Sequence, residues 1–270
     1  MLRTRILTAL ALLAVLLPTL FVAPAWLFAA VLGVACAAGM WEWSRLAGVH
    51  GTAAVLIAIG WALAATALRS VGASGPEVFA TASAAWLLLL ATSLPRAALP
   101  VALGRRAVLV GLGALLLLAG WLALLRARAD GAELLLSVLA LAWVADVAAY
   151  FGGRALGGPR LAPRISPGKT VSGAVCGVLA VVAYAAVCAR LPALSDTLGA
   201  RLAARWGLGG SLLAAGALAT LSVAGALFES LLKRRAGVKD SSTLLPGHGG
   251  VLDRVDALLP VLPMVMLLLP

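Results

Sequence analysis

Apolar runs of membrane-crossing length recur from one end of this 270-residue chain to the other, and that recurrence constrains its fold more than any other feature. A helix that crosses the hydrocarbon core of a bilayer needs about 20 mostly apolar residues. On that template spans are expected near 6–22, 24–41, 52–68, 79–94, 107–125, 134–151, 171–189, 211–232 and 257–270, about nine transmembrane helices with the last one short. Composition agrees, with 63% hydrophobic and only 11% charged residues, where soluble domains run about 45–50% and about 25%. The expected fold is an all-α polytopic membrane protein. It is one integral domain, in which 1–130 supply N-terminal membrane helices and 131–270 supply C-terminal helices carrying the polar loops. The start, MLRTRILTALALLAVLL, has the basic and apolar parts of a signal peptide. Apolar sequence nevertheless continues past Pro18 and Pro24 to Met40, which two hairpinned spans explain better.

Charge tests the count, because Lys and Arg accumulate in cytoplasmic loops and short flanks. Nine spans put Arg3, Arg5, Arg45, Arg96, Arg105, Arg106, Arg154, Arg160, Arg164, Lys169, Lys233, Arg234, Arg235, Lys239 and Arg254 on one side. The other side receives Arg69, Arg126, Arg128, Arg190, Arg201 and Arg205, so fifteen face six and the N-terminus is expected in the cytoplasm. The formal charge of +11 then speaks of orientation, anionic lipid or an anionic substrate, and no nucleic-acid partner is expected. Cys36, Cys176 and Cys188 all fall in apolar runs without metal-ligand spacing and read as small buried hydrophobes. The segment 190–210 is expected to form an amphipathic helix on the external surface.

Against this apolar background the stretch 239–256, KDSSTLLPGHGGVLDRVD, is anomalous. The positive-inside rule accounts for Lys233, Arg234 and Arg235 but asks for no aspartates, and three are present: Asp240, Asp253 and Asp256. Carboxylates beside oxygen-rich ligands are natural partners of Mg²⁺. Asp253 and Asp256 are three apart, so one helical turn places both on one face. The glycines of PGHGG, Gly249 and Gly250 among them, allow a sharp bend and close approach to a ligand. A helix starting near Val251 is expected to offer free N–H groups to a phosphate. His248 reads as a hydrogen-bond donor to phosphate, since no second histidine or cysteine makes a zinc site.

A second polar stretch, DVAAYFGGRALGGPRLAPRISPGKTVSG (146–173), contains GKT. A P-loop needs glycine five residues before the second one, but Pro163 stands there, and no strand is expected ahead of it. What remains is a basic, Gly/Pro-rich loop with Arg154, Arg160, Arg164 and Lys169 as phosphate partners. Asp146 lies inside the sixth expected span, where an acidic residue is a functional candidate. In WEWSRL, Trp41 and Trp43 read as interfacial aromatics, Glu42 as a residue at the water boundary, and His50 as a solvated loop residue.

The run from Ser230 to Asp256, SLLKRRAGVKDSSTLLPGHGGVLDRVD, resembles the signature of the phosphatidate cytidylyltransferases: Ser, Lys-Arg, Lys-Asp, Pro-x-His-Gly-Gly and Asp-Arg-x-Asp in order. AYFGGR and ISPGKT are similar to that family's second region, with departures at Val171 and Ser172, and WEWSRLAG is similar to its N-terminal stretch. The resemblance implies an all-helical membrane enzyme that tends to dimerise. It implies CTP and phosphatidic acid as substrates, CDP-diacylglycerol and pyrophosphate as products, and Mg²⁺ with a monovalent cation such as K⁺ as cofactors. It assigns Asp240, Asp253 and Asp256 to the metal, with Asp146 as a further candidate ligand, and Lys239 and His248 to the catalytic set. Substrate contacts fall to Ser230, Lys233, Arg234, Arg254, Lys169, Arg164, Ser166, Gly249 and Gly250. The expected location is the bacterial inner membrane, with the site facing the cytoplasm. A transporter should carry its polar groups at mid-membrane, whereas these gather at one rim. The Asp-x-x-Asp-Gly array of a CDP-alcohol phosphotransferase is missing from the sequence.

Overall fold

The computed structural model describes residues 2–72 and 75–269, and the side chains of all of these except 2–5 and 9. Arg3 and Arg5 therefore contribute only through their backbone, and Pro270, the end of the ninth expected span, lies outside the described residues. Ten helices follow the apolar runs: α1 (Leu2–Phe21), α2 (Ala25–Leu46), α3 (Gly51–Ser70), α4 (Pro76–Ser93), α5 (Arg106–Asp130), α6 (Ala132–Leu156), α7 (Val171–Arg190), α8 (Leu198–Arg235), α9 (Leu252–Val255) and α10 (Val261–Leu268). Seven of them, α2 to α8, are long and apolar enough to cross a membrane. The chain is an integral membrane protein of all-α architecture.

Two expectations about elements change. The ninth span does not form: α10 has 8 residues, about 12 Å of helix at 1.5 Å per residue, against a core about 30 Å thick. Pro260 stands at the N-terminal boundary of α10 and Pro263 in its first turn, where proline is tolerated but keeps the helix from extending back toward 257. Instead of spanning, α10 is buried against α4, α5 and α8, with Val261 and Val265 fully covered. The loop before α7 is not structureless either. It forms a hairpin of β1 (Arg160–Ala162) and β2 (Ser166–Thr170), antiparallel, pairing Arg160 with Thr170 and Ala162 with Ser166. Buried Ile165 anchors it. A strand thus does carry GKT, although the spacing still excludes a P-loop.

The helices pack as α2 with α3 and α5, and α6 with α7 and α8, while α10 wedges between α4, α5 and α8. Small residues allow close approach in the second group. A Cβ on Gly177 of α7 would sit 2.8 Å from the Ala145 carbonyl oxygen of α6, and one on Gly173 2.7 Å from that of Ala149. In α8 the helix breaks at Gly207 (φ 71°, ψ 171°), so a short arm precedes the long span, with Leu198 and Leu202 buried and 204–209 exposed. The connections holding Arg45, Arg105, Arg164, Arg234 and Arg254 gather at one end: Arg235 donates to Gly104 O (2.6 Å), Arg234 to Ile165 O (3.4 Å), and Thr8 to Pro246 O (2.8 Å). At the other end Arg128 binds Leu20 O and Ala23 O, and Arg201 binds Asp130 O. The basic residues named here thus fall at two ends of the helix bundle.

Candidate active site

Polar groups concentrate where the C-terminal end of α8 meets the loop 236–251 and the single turn α9. Lys233, near the end of α8, lies 2.5 Å from Glu229 Oε2 and 2.6 Å from Asp253 Oδ1. Neither Glu229 oxygen has an aligned hydrogen-bond donor among the described residues, although the side chain is only 4% exposed. A buried carboxylate without compensation is costly, and the Lys233 ammonium beside Glu229 offsets that cost.

Asp253 is the most tightly held carboxylate. Its Oδ2 accepts from Gly250 N (2.8 Å), Ser241 N (2.9 Å) and Ser241 Oγ (2.9 Å). Burial pushes its pKa up, but the bonds from Lys233, Gly250 and Ser241 outweigh this and bring it to about 2. Asp256 follows on the same face and is held differently. Its Oδ1 accepts from Ala257 N (2.8 Å), its Oδ2 has no donor among the described residues, and burial pushes its pKa to about 6 against the pull of Ala257 N and Lys169. Asp146 adds to that rise, so Asp256 is within electrostatic reach of both Lys169 and Asp146.

Lys169 and Asp146 line a cavity of about 480 Å³ between α6, the hairpin and α7, together with Tyr150, Arg154 and Arg160. Thr170 closes its floor by capping α7, accepting from Gly173 N (3.1 Å). Tyr150 and Phe151 are exposed at its outer edge. Arg164 and Arg234 do not join it. They line a different cavity of about 620 Å³ with Arg105 and Arg235. The hairpin, with Arg164 at its turn and Lys169 on β2, separates two basic residues that lie five apart in sequence.

Other expected site residues are placed as follows. Lys239 and Asp240 are exposed, and Asp240 Cβ is near Gly249 and hence near Asp253. Arg254 binds its own loop, donating to His248 O through Nε (3.1 Å) and Nη2 (2.6 Å). His248 Nδ1 is buried without a partner among the described residues. Ser230 turns back onto α8 and donates to Ala226 O (2.9 Å). Ser166 is half-buried on β2. Gly249 has φ 83°, in the left-handed region that favours glycine.

Three expectations are overturned. The N–H groups at the start of α9 are not free for phosphate: Val251 N (2.9 Å) and Leu252 N (2.7 Å) donate to Glu42, and Gly250 N to Asp253. Glu42 is not at a water boundary but fully buried, and Ser241 Oγ (3.1 Å) and Ser242 Oγ (2.6 Å) also donate to it. Trp43 is 1% exposed, its Nε1 donating to Leu109 O (2.8 Å) and its ring beside Phe228, so it is a core residue rather than an interfacial one. Trp41 stays half-buried with the Arg45 guanidinium 4.6 Å over its ring. The signal for Glu42 was present in a charge set between two tryptophans at a helix end, but its partners lie about two hundred residues away.

Mg²⁺ accepts oxygen ligands from one or two carboxylates and completes its shell with water and phosphate. No three His, Cys, Asp or Glu side chains among the described residues converge as a ready-made cage. Asp253 and Asp256, three residues apart, with a single hydrogen bond on Asp256 among the described residues, at Oδ1, suit the two-carboxylate arrangement. The residues present fit such a cation.

The sequence is similar to those of known proteins. The model of the cytidylyltransferase family matches residues 3–270. The phosphatidate cytidylyltransferase of Pseudomonas aeruginosa is 38% identical over 272 residues, covering 100% of this chain and 97% of that protein. Those of Brucella suis and Thermotoga maritima are 50% identical over 128 residues and 42% over 133, covering 47% and 49% of this chain and 43% and 47% of their own. The chain, matched by the family model almost from end to end, belongs to the cytidylyltransferase family.

Proposed function

We infer that the chain is a phosphatidate cytidylyltransferase, transferring the cytidylyl group of CTP to phosphatidic acid and releasing pyrophosphate. The observation that carries this is the placement of Asp253 and Asp256 on one turn at the end of α8, beside a basic cavity lined by Asp146, Arg154, Arg160 and Lys169. The carboxylate turn of α9 and the basic cavity lie within electrostatic reach of each other, so a soluble nucleotide and a lipid phosphate can meet there.

In the reaction, a phosphate oxygen of phosphatidate bonds to the α-phosphorus of CTP, and the α–β phosphoanhydride bond breaks with its electrons leaving on pyrophosphate. A phosphate monoester has its second pKa near about 6, so the nucleophile is already ionised and no strong general base is needed. Catalysis then rests on positioning and charge neutralisation. The cavity of Arg154, Arg160 and Lys169 receives the lipid phosphate, with the acyl chains leaving past Tyr150 and Phe151 into the bilayer. Asp253 and Asp256 would hold Mg²⁺, with Asp240 and Asp146 as further candidate ligands. When bound, the cation neutralises triphosphate oxygens and the leaving pyrophosphate. Lys233 sits on Asp253 and fixes its orientation, while Lys239 and His248 face the phosphates as donors. Arg164 and Arg234, in the neighbouring basic cavity, draw anionic ligands toward the rim. K⁺ as an accessory cation, a homodimer, and a bacterial inner-membrane location with the site toward the cytoplasm complete this reading.

The test is transfer of label from cytidine-labelled CTP into lipid by detergent-purified protein. The reading expects label that depends on phosphatidate and Mg²⁺ and disappears with EDTA. No label from folded protein across a range of divalent metals overturns it.

A further inference from the structure

The strongest feature not used by that reaction is Glu42. Its side chain is fully buried at the end of α2, and four donors converge on it, all from the catalytic loop: Ser241 Oγ and Leu252 N on Oε2, Ser242 Oγ and Val251 N on Oε1. Accepting every bond and donating none is what an ionised carboxylate does. The donors come from both ends of the loop, one pair before its PGHGG bend and one pair after it, so a single side chain clamps the two together. The same Ser241 hydroxyl lies 2.9 Å from Asp253 Oδ2, so its one hydrogen is shared between the two carboxylates, and the Ser241 backbone N–H binds that Asp253 oxygen. The hydroxyl thus stands between Glu42 and the carboxylate assigned to the metal.

The backbone is shaped around this clamp. A Cβ on Gly250 would run into both Ser241 Oγ and the Glu42 carboxylate. Gly39, one turn earlier on α2, lets Leu252 pack on the helix, where a Cβ would meet Leu252 Cδ2 at 3.4 Å. Leu252 itself is fully buried. A loop of about a dozen residues with few apolar contacts has many conformations to lose on ordering, and α2 supplies the anchor.

We propose that Glu42 is a positioning residue for cytidylyl transfer: from the N-terminal half of the chain it fixes the loop 241–252 and thereby aims Asp253 and Asp256. This rests on the proposed activity for its kinetic consequence but not for its structural one.

The test is Glu42→Gln. The amide keeps the size but offers one acceptor oxygen and an NH₂ that opposes two of the four donors. In purified, folded protein kcat falls roughly tenfold or more, the scale that small misplacements of reacting groups produce, while KM for CTP changes far less. Hydrogen–deuterium exchange rises in peptides covering 239–256 and stays unchanged in those from α5 to α7. Wild-type kcat with wild-type loop protection overturns the proposal, and so does protection lost evenly along the chain, which marks a purely structural role. If Glu42→Gln does not fold, Ser242→Ala decides. It removes one donor from Oε1, and the same loop-confined rise in exchange, smaller in size, is expected; no local change overturns the idea. Should wild-type protein transfer no cytidylyl group, the proposed function fails while the exchange measurement still reads the clamp.

Discussion

Asp253 and Asp256, one turn apart, are held under opposite electrostatic conditions. Asp253, drawn down to about 2, contributes stability that is present above its ordinary value and is lost as the pH falls toward 2. Asp256, raised from 3.8 to about 6, binds its proton more tightly when folded, so its contribution is present at low pH and is lost as the pH rises through about 6. In metal-free protein at neutral pH, Asp256 is therefore ionised at a cost on the order of 2–3 kcal/mol. Asp256→Asn should raise the Tm of EDTA-treated protein at about pH 7 and leave it nearly unchanged at about pH 4. A lower Tm at neutral pH would show that the carboxylate is satisfied without a cation. Residue by residue, the acids were legible because aspartates in an apolar chain need a reason. Glu42 and Trp43 were not, because hydropathy near a helix end cannot distinguish a side chain turned to water from one turned into a distant loop.

At the scale of elements, the α6–α7 contact sets the geometry of the cavity, since Asp146 and Lys169 approach it from opposite sides of that contact. Gly177→Ala puts a methyl against the Ala145 carbonyl, a backbone atom that cannot rotate away. Overpacking of this kind costs about 1–3 kcal/mol, and the Tm in detergent should fall. Gly111→Ala on α5 is the control: nothing lies within 4 Å of the added methyl, and the helix gains up to about 1 kcal/mol of intrinsic propensity. Equal effects at both positions would contradict the close-contact account. Helix positions followed from apolar run length, whereas α10 and the hairpin did not. A run of apolar residues this dense hides the boundary that Pro260 sets at the start of α10, and a three-residue strand such as β1 is too short to show a period.

At the scale of the molecule, seven candidate spans among the described residues and segregated basic loops give it two chemically distinct ends. The side each faces is open to labelling. In a background with the three native cysteines replaced by alanine, a cysteine at Thr243 should react with an impermeant maleimide only in inside-out vesicles. One at Ser195 should react in intact cells. The reverse pattern would place the site outside, away from CTP.

The central claim is attack on the α-phosphorus of CTP at a site that depends on Asp253. Incubating purified protein with phosphatidate, Mg²⁺ and CTP labelled either at the α- or the γ-phosphate tests it most directly. The account predicts that α-label enters the lipid, that γ-label leaves as pyrophosphate, and that Asp253→Asn, still folded, abolishes both. γ-label in the lipid, or full transfer by that variant, would contradict it.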